Sequence, residues 1–146
     1  MKEYIGERIV GTWELVSWTY RDASGNVVDF FGENPQGILM YDGKGNMNAQ
    51  LMKLERNKIG SPRLFEGTDE QVAAAYRSYA AYWGKYKETA PGEFTHYVEG
   101  SLLPDWIGTE EIRYARIEGE ILTLSATVTA NSHRITVEVR WRKLNN

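Results

Sequence analysis

Cysteine is absent from the 146 residues, so no disulfide, thiolate nucleophile, Cys-ligated zinc or iron–sulfur cluster can be built. Histidine is almost absent too. His96 and His133 are the two present, and neither stands in a His-x-x-x-His or His-Glu-x-x-His spacing, so no metal site is expected. No Gly-x-Gly-x-x-Gly, Walker-type loop or Gly-x-Ser-x-Gly elbow occurs, and no cofactor is expected. Seventeen Lys and Arg against twenty Asp and Glu leave a net charge of −3. There is no cationic excess to neutralise a phosphate backbone or an anionic membrane face, so neither nucleic acid nor membrane is an expected partner. Apolar runs are far shorter than the ~20 residues a spanning helix needs, and the segment from Met1 to Glu7 lacks a signal-peptide core. The chain reads as unexported and cytoplasmic.

What is present is 42% apolar, 12% aromatic and 25% charged side chains, the composition of one globular domain over residues 1–146 that buries roughly 70% of its unfolded surface. Short alternating runs separated by Gly, Asn, Asp or Pro clusters dominate, as in an antiparallel sheet. They are Ile9 to Tyr20, Val27 to Phe31, Ile38 to Tyr41, Asn46 to Met52, Lys85 to Glu88, Glu93 to Ser101, Thr109 to Ile117, Ile121 to Val128 and Arg134 to Leu144. Asp42-Gly43-Lys44-Gly45 is a strong hairpin signal. Between the fourth and fifth runs the period changes. Thr68-Asp69-Glu70-Gln71 is a capping box, and Val72, Tyr76, Tyr79, Ala80 and Trp83 recur at helical steps up to Gly84, which is placed to end the helix in a left-handed cap. An open sheet of so many strands leaves hazardous edges, and closure removes them. The expected fold is all-β: a closed antiparallel barrel of about 8–10 strands with one α-helix inserted over about residues 69–83.

Gly11-Thr12-Trp13 on the first strand and Trp141-Arg142 on the last resemble the lipocalin (calycin) signature. The stretches Pro35 to Tyr41, Asn48 to Met52 and, most of all, His96 to Tyr114 are similar to the bacterial and fungal lipocalin-like domain family, and the likeness runs over nearly the whole chain. The resemblance implies a barrel with a ligand cavity, a floor plugged by Trp13, and Arg142 lying across its ring as a cation–π partner. It also implies, by analogy with lipocalin-like barrels that act on cyclisation or isomerisation steps in natural-product pathways, that an enzyme on the same scaffold is an open alternative. Unlike ordinary lipocalins, this chain carries its helix in the middle.

Strand parity indicates what the cavity holds. Ile135, Val137, Val139 and Trp141 share one face, as do Leu122, Leu124, Ala126 and Val128. A two-residue turn at Glu118-Gly119 sets Arg113 opposite Leu124 and Glu111 opposite Ala126, putting both charges inside; a bulged turn moves Ile112 and Tyr114 inward instead. If Phe94, His96 and Val98 face inward, His96 joins Glu111 and Arg113 in a polar cluster. The cluster has two readings: it orients a ligand carboxylate or carbonyl, with His96 as a titrating donor or base, or it is an internal salt bridge beside a satisfied core imidazole. Gln50 contributes an amide to a ligand if it faces inward and solvates an edge if it faces outward; the stripe of Tyr76, Tyr79 and Trp83 either packs into the core or gates the mouth as a lid; and Trp106, in a Pro-led connection, touches a ligand if that loop stands at the mouth and otherwise packs down. On the first strand, Trp13, Leu15, Ser17 and Thr19 share a face, leaving Val16, Trp18 and Tyr20 on the other, where a lid or a second copy of the chain must cover them.

Three functions follow as expectations. The first is binding of a small hydrophobic or amphipathic molecule in the barrel. The second is an isomerase or cyclase that uses His96 with Glu111 or Arg113 as catalytic groups. The third is a homodimeric interaction module built on the first-strand aromatics.

Overall fold

The computed structural model describes residues 3–130 and 132–144; Asn131, in the connection expected before the last strand, lies outside them. A short helix α1 (Gly6–Ile9) precedes β1 (Gly11–Arg21), β2 (Val27–Asp29), β3 (Gln36–Tyr41) and β4 (Asn46–Met52). Helix α2 (Asp69–Arg77) follows, then β5 (Tyr79–Ala90), β6 (Glu93–Ser101), a 3-10 turn at Pro104–Trp106, β7 (Glu110–Glu118), β8 (Ile121–Ala130) and β9 (His133–Lys143). The strands pair antiparallel in the order β2-β1-β3-β4-β5-β6-β7-β8-β9, and β1 also pairs with β9. Eight strands therefore close a barrel, and β2 is an extra strand at its edge. No helix among the described residues is long and apolar enough to cross a membrane.

Two of the tight connections share one chemistry. Asp22-Ala23-Ser24-Gly25-Asn26 and Asp42-Gly43-Lys44-Gly45-Asn46 each close on an aspartate whose Oδ1 accepts backbone N–H groups two and four residues on, while the Asn amide donates to Oδ2. These bonds, led by those from Asn26 and Asn46, hold both carboxyls below the usual aspartate range. The local side-chain bonding is what makes Asp a turn residue.

Helix α2 begins at the expected capping box, with Gln71 N–H donating to Thr68 Oγ1 and Thr68 N–H to Gln71 Oε1. It ends at Arg77, earlier than the aromatic spacing predicts. Tyr79, Ala80 and Trp83 belong to β5, where Tyr79 pairs with Met52, Ala80 with Leu51 and Trp83 with Asn48. The long-range ladder outweighs a weak helical preference in this aromatic-rich stretch. Gly84 is not a helix cap: it sits at a β5 bulge, where a Cβ would collide with the Tyr97 carbonyl oxygen.

One bulge decides the character of β1. Leu15 pairs with Trp141 but Ser17 with Arg140, so Val16 is an extra residue and the parity flips after it. Trp18 and Tyr20 therefore share the inward face of Val139 and Val137 instead of facing solvent. Trp18 stacks on Phe30 at 4.7 Å and meets Phe31 edge-on at 4.9 Å. The outward aromatic face on which a homodimer was expected is not formed.

At the closed end Ile9, Trp13, Leu39, Tyr41, Phe94, Leu122 and Trp141 are buried together. Trp13 Nε1 donates to the Ile9 carbonyl at 3.0 Å, tying the plug to α1. The cation over its ring is Lys143, with Nζ 4.7 Å from the centroid, and not Arg142, which points outward to Glu14 at 3.4 Å. Register explains the difference. Lys143 is the cross-strand partner of Trp13, whereas Arg142 neighbours the inward Trp141 and must face the other way. Lys143 Nζ also donates to the Val10 carbonyl at 2.7 Å. A Cβ on Gly11, whose φ is +143°, would meet Nζ at 2.8 Å, which is why glycine stands two residues before the tryptophan.

Candidate functional site: the barrel cavity

Above this floor the barrel holds a cavity of about 660 Å³, within the range of small-molecule sites. Its walls are mainly apolar: Trp18, Leu39, Ala49, Leu51, Leu124, Ala126, Val137, Val139 and Trp141. The mouth lies where β4, β6 and β8 end and β5, β7 and β9 begin. There Phe30, Phe31, Tyr76 and Arg77 of α2, Leu102, Leu103 and Trp106 form a rim, and Tyr76, Leu102 and Leu103 keep much of their surface exposed.

The polar part of the wall comes from β5, β6 and β7. The β7–β8 turn is Gly119-Glu120, with Ile117 opposite Leu122 and Ala115 opposite Leu124. This is two residues away from the pairing expected from a Glu118-Gly119 turn, and an even shift preserves parity, so Glu111 and Arg113 do face the interior. Their side chains are 21% and 13% exposed, and Arg113 Nη1 lies 3.9 Å from Glu111 Oε1. Thr109 Oγ1 donates to Glu111 Oε2 at 2.7 Å. Arg113 donates to the Ile112 carbonyl and lies 5.9 Å from the Trp106 ring centroid. Trp106 in turn meets Tyr82 edge-on at 5.4 Å.

Phe94, His96 and Val98 face inward and are buried, and His96 is the cross-strand partner of Glu111. The imidazole has no exposed surface. Tyr41 Oη lies 2.8 Å from Nε2 and Tyr82 Oη 2.7 Å from Nδ1. Burial, followed by the Arg113 charge, pushes its pKa down to about 3, so the ring is neutral and both nitrogens are occupied. Burial raises both tyrosines, and the charge of Arg113 pulls both part of the way back. Tyr82 also lines the cavity. His96 therefore faces a ligand only through Tyr82.

The remaining candidates fall elsewhere. Met47, Ala49 and Leu51 are the buried set of β4, which places Gln50 on the outer face, where its Oε1 accepts from Tyr79 Oη at 2.6 Å. Tyr79 sits at the rim with Arg56 over its ring at 5.1 Å. Trp83 is exposed over Gly100 and takes no part in a lid. Tyr41 and Tyr82, which bracket the histidine, were missed by the sequence reading; the inward parity of β5 around Tyr82 was hidden once that stretch was read as helix. Glu88 was missed too, although its carboxylate accepts the N–H groups of Ile5, Gly6 and Gly92 and so fastens α1 beneath the barrel.

A floor-plugged antiparallel barrel with a walled cavity defines a lipocalin-type binding protein, and the chain matches the lipocalin-like domain family over residues 10–144, so it belongs to that family. It is 33% identical over 112 residues to the 4'-hydroxy-3'-methoxypropiophenone carrier protein ppsC of Aspergillus oryzae, an alignment covering 67% of this chain and 96% of that protein. Fold and relative together support a ligand-binding or carrier role in general terms.

Proposed function

We propose that the protein carries a small, mainly apolar molecule with one polar end, taken into the barrel with that end against Glu111, Arg113 and Tyr82. The observation that carries this reading is the cavity itself: about 660 Å³ of mainly apolar-walled space with the Glu111–Arg113 pair and Tyr82 on one wall. Side chains fill a small barrel when nothing is to be held, and a void of this size forfeits packing energy. The A. oryzae relative is named for an aryl ketone with hydroxy and methoxy groups, a ligand of this amphipathic type. Trp18, Trp106 and Trp141 line the cavity, so titration with 4'-hydroxy-3'-methoxypropiophenone, followed by tryptophan fluorescence, should give a saturable change. A linear, unsaturable response up to millimolar ligand rejects the reading.

One feature keeps the isomerase alternative testable: Glu111 places a carboxylate beside the cavity, where it would abstract a proton α to a bound carbonyl. A carrier leaves the α-hydrogens of propiophenone exchanging with D2O at the buffer rate, whereas such an enzyme accelerates that exchange.

A further inference from the structure

The hydrogen-bond chain through His96 has a direction, and it is fixed at its buried end. Tyr41 is 2% exposed, and its hydroxyl has one hydrogen-bond partner among the described residues, His96 Nε2. Were Nε2 to carry the proton and donate to Tyr41, the phenol proton of Tyr41 would be buried with no acceptor, at a cost that native interiors avoid. Tyr41 therefore donates to Nε2, and the neutral imidazole carries its proton on Nδ1. Nδ1–H then donates to Tyr82 Oη at 2.7 Å. Because Tyr82 Oη accepts from the imidazole, its own O–H is left to donate, and the cavity is the space it borders. A phenol that accepts a hydrogen bond is a stronger donor, and the charge of Arg113 acts on Tyr82 in the same direction.

We propose that the Tyr82 hydroxyl is the recognition donor of the cavity and selects neutral ligands that present a carbonyl oxygen; this rests on the carrier reading above. Glu111 beside Arg113 supplies the reason for neutrality. The two charges cancel, so a carboxylate entering the cavity would lose its hydration and face Glu111 without an unopposed cation. A neutral ketone oxygen meets no such repulsion and accepts the donor. His96 and Tyr41 act as positioning residues that never touch the ligand.

The test uses three probes on one skeleton: propiophenone, propylbenzene, which lacks the oxygen, and 3-phenylpropanoate, which is charged. Tyr82→Phe keeps the ring and should weaken propiophenone about tenfold while changing propylbenzene less than about twofold. Tyr41→Phe, remote from the cavity, should weaken propiophenone about threefold by releasing the tautomer, again sparing propylbenzene. The carboxylate should bind the wild type more weakly than the ketone. Nitrogen-15 spectra of the His96 ring should show the Nδ1–H form. Uptake of neither neutral probe by the wild type overturns the cavity reading along with this one. Uptake of both, with Tyr82→Phe weakening them alike, overturns the carbonyl assignment alone, as does tighter carboxylate binding or an Nε2–H ring.

Discussion

Acidification should unfold this protein partly through one residue. His96 is neutral in the folded state with a pKa of about 3, against about 6.5 in the unfolded chain. The folded-state value is depressed, so between pH 6.5 and about 3 the unfolded chain binds the proton and the folded one does not. His96 therefore costs no stability above pH 6.5. Below it the penalty grows by about 1.4 kcal/mol per pH unit and levels off beneath pH 3. At pH 4.5 the loss relative to pH 7.5 is about 3 kcal/mol, which for a chain of this size lowers Tm by about 6–12 °C. Carboxylates titrate over the same range, so the measurement is a difference. Denaturant unfolding of the wild type and of His96→Gln is followed from pH 7.5 to 4.5. The amide offers partners to Tyr41 and Tyr82 but takes up no proton, so the variant should start less stable and lose less on acidification, the gap narrowing by about 3 kcal/mol. Parallel curves, within about 0.5 kcal/mol, would show that the imidazole takes up its proton in the folded barrel without penalty and would refute the buried, doubly bonded arrangement.

Lys143→Met should cost about 1–2 kcal/mol through the lost contact over Trp13 and the lost bond to the Val10 carbonyl, whereas Arg142→Met, whose pair with Glu14 is exposed, should cost less than about 0.5 kcal/mol by denaturant unfolding. Glu88→Gln should destabilise by about 1–3 kcal/mol, because three backbone N–H groups lose a charged acceptor; an unchanged Cm would mean α1 is held by packing alone. Arg113→Leu alone leaves Glu111 facing the cavity without its cation, and should be less stable than the double variant Arg113→Leu with Glu111→Leu. That double variant should fold but take up propiophenone poorly, and wild-type uptake would remove both residues from the site.

The barrel was legible because strand alternation and turn chemistry are local signals. Asn46–Met52 and Glu93–Ser101 have the bounds their sequence predicts, and the capping box at Thr68 starts its helix as expected. What sequence concealed was set by partners distant along the chain. Tyr79 to Trp83 has helical spacing, and only pairing with β4 makes it strand. Nothing local in Trp13-Glu14-Leu15-Val16-Ser17-Trp18 marks Val16 as the extra residue; the bulge exists because β9 runs straight past it. Lys143, by contrast, was within reach, since the alternation that turns Trp141 inward also turns Arg142 outward.

That bulge connects fold to function. With unbroken alternation, Ser17 and Thr19 would line the upper barrel while Trp18 and Tyr20 faced water. The extra residue exchanges the two sets, giving the cavity an indole and giving the mouth an aromatic cluster in which Trp18, Tyr20, Phe30 and Phe31 interlock. The same exchange leaves β5 to β7 as the polar side of an otherwise greasy pocket, opposite the indoles of β1 and β9 in the strand order. A guest that fills this space must present its apolar body to one wall and its oxygen to the other, so orientation is set by the barrel before any single hydrogen bond is made.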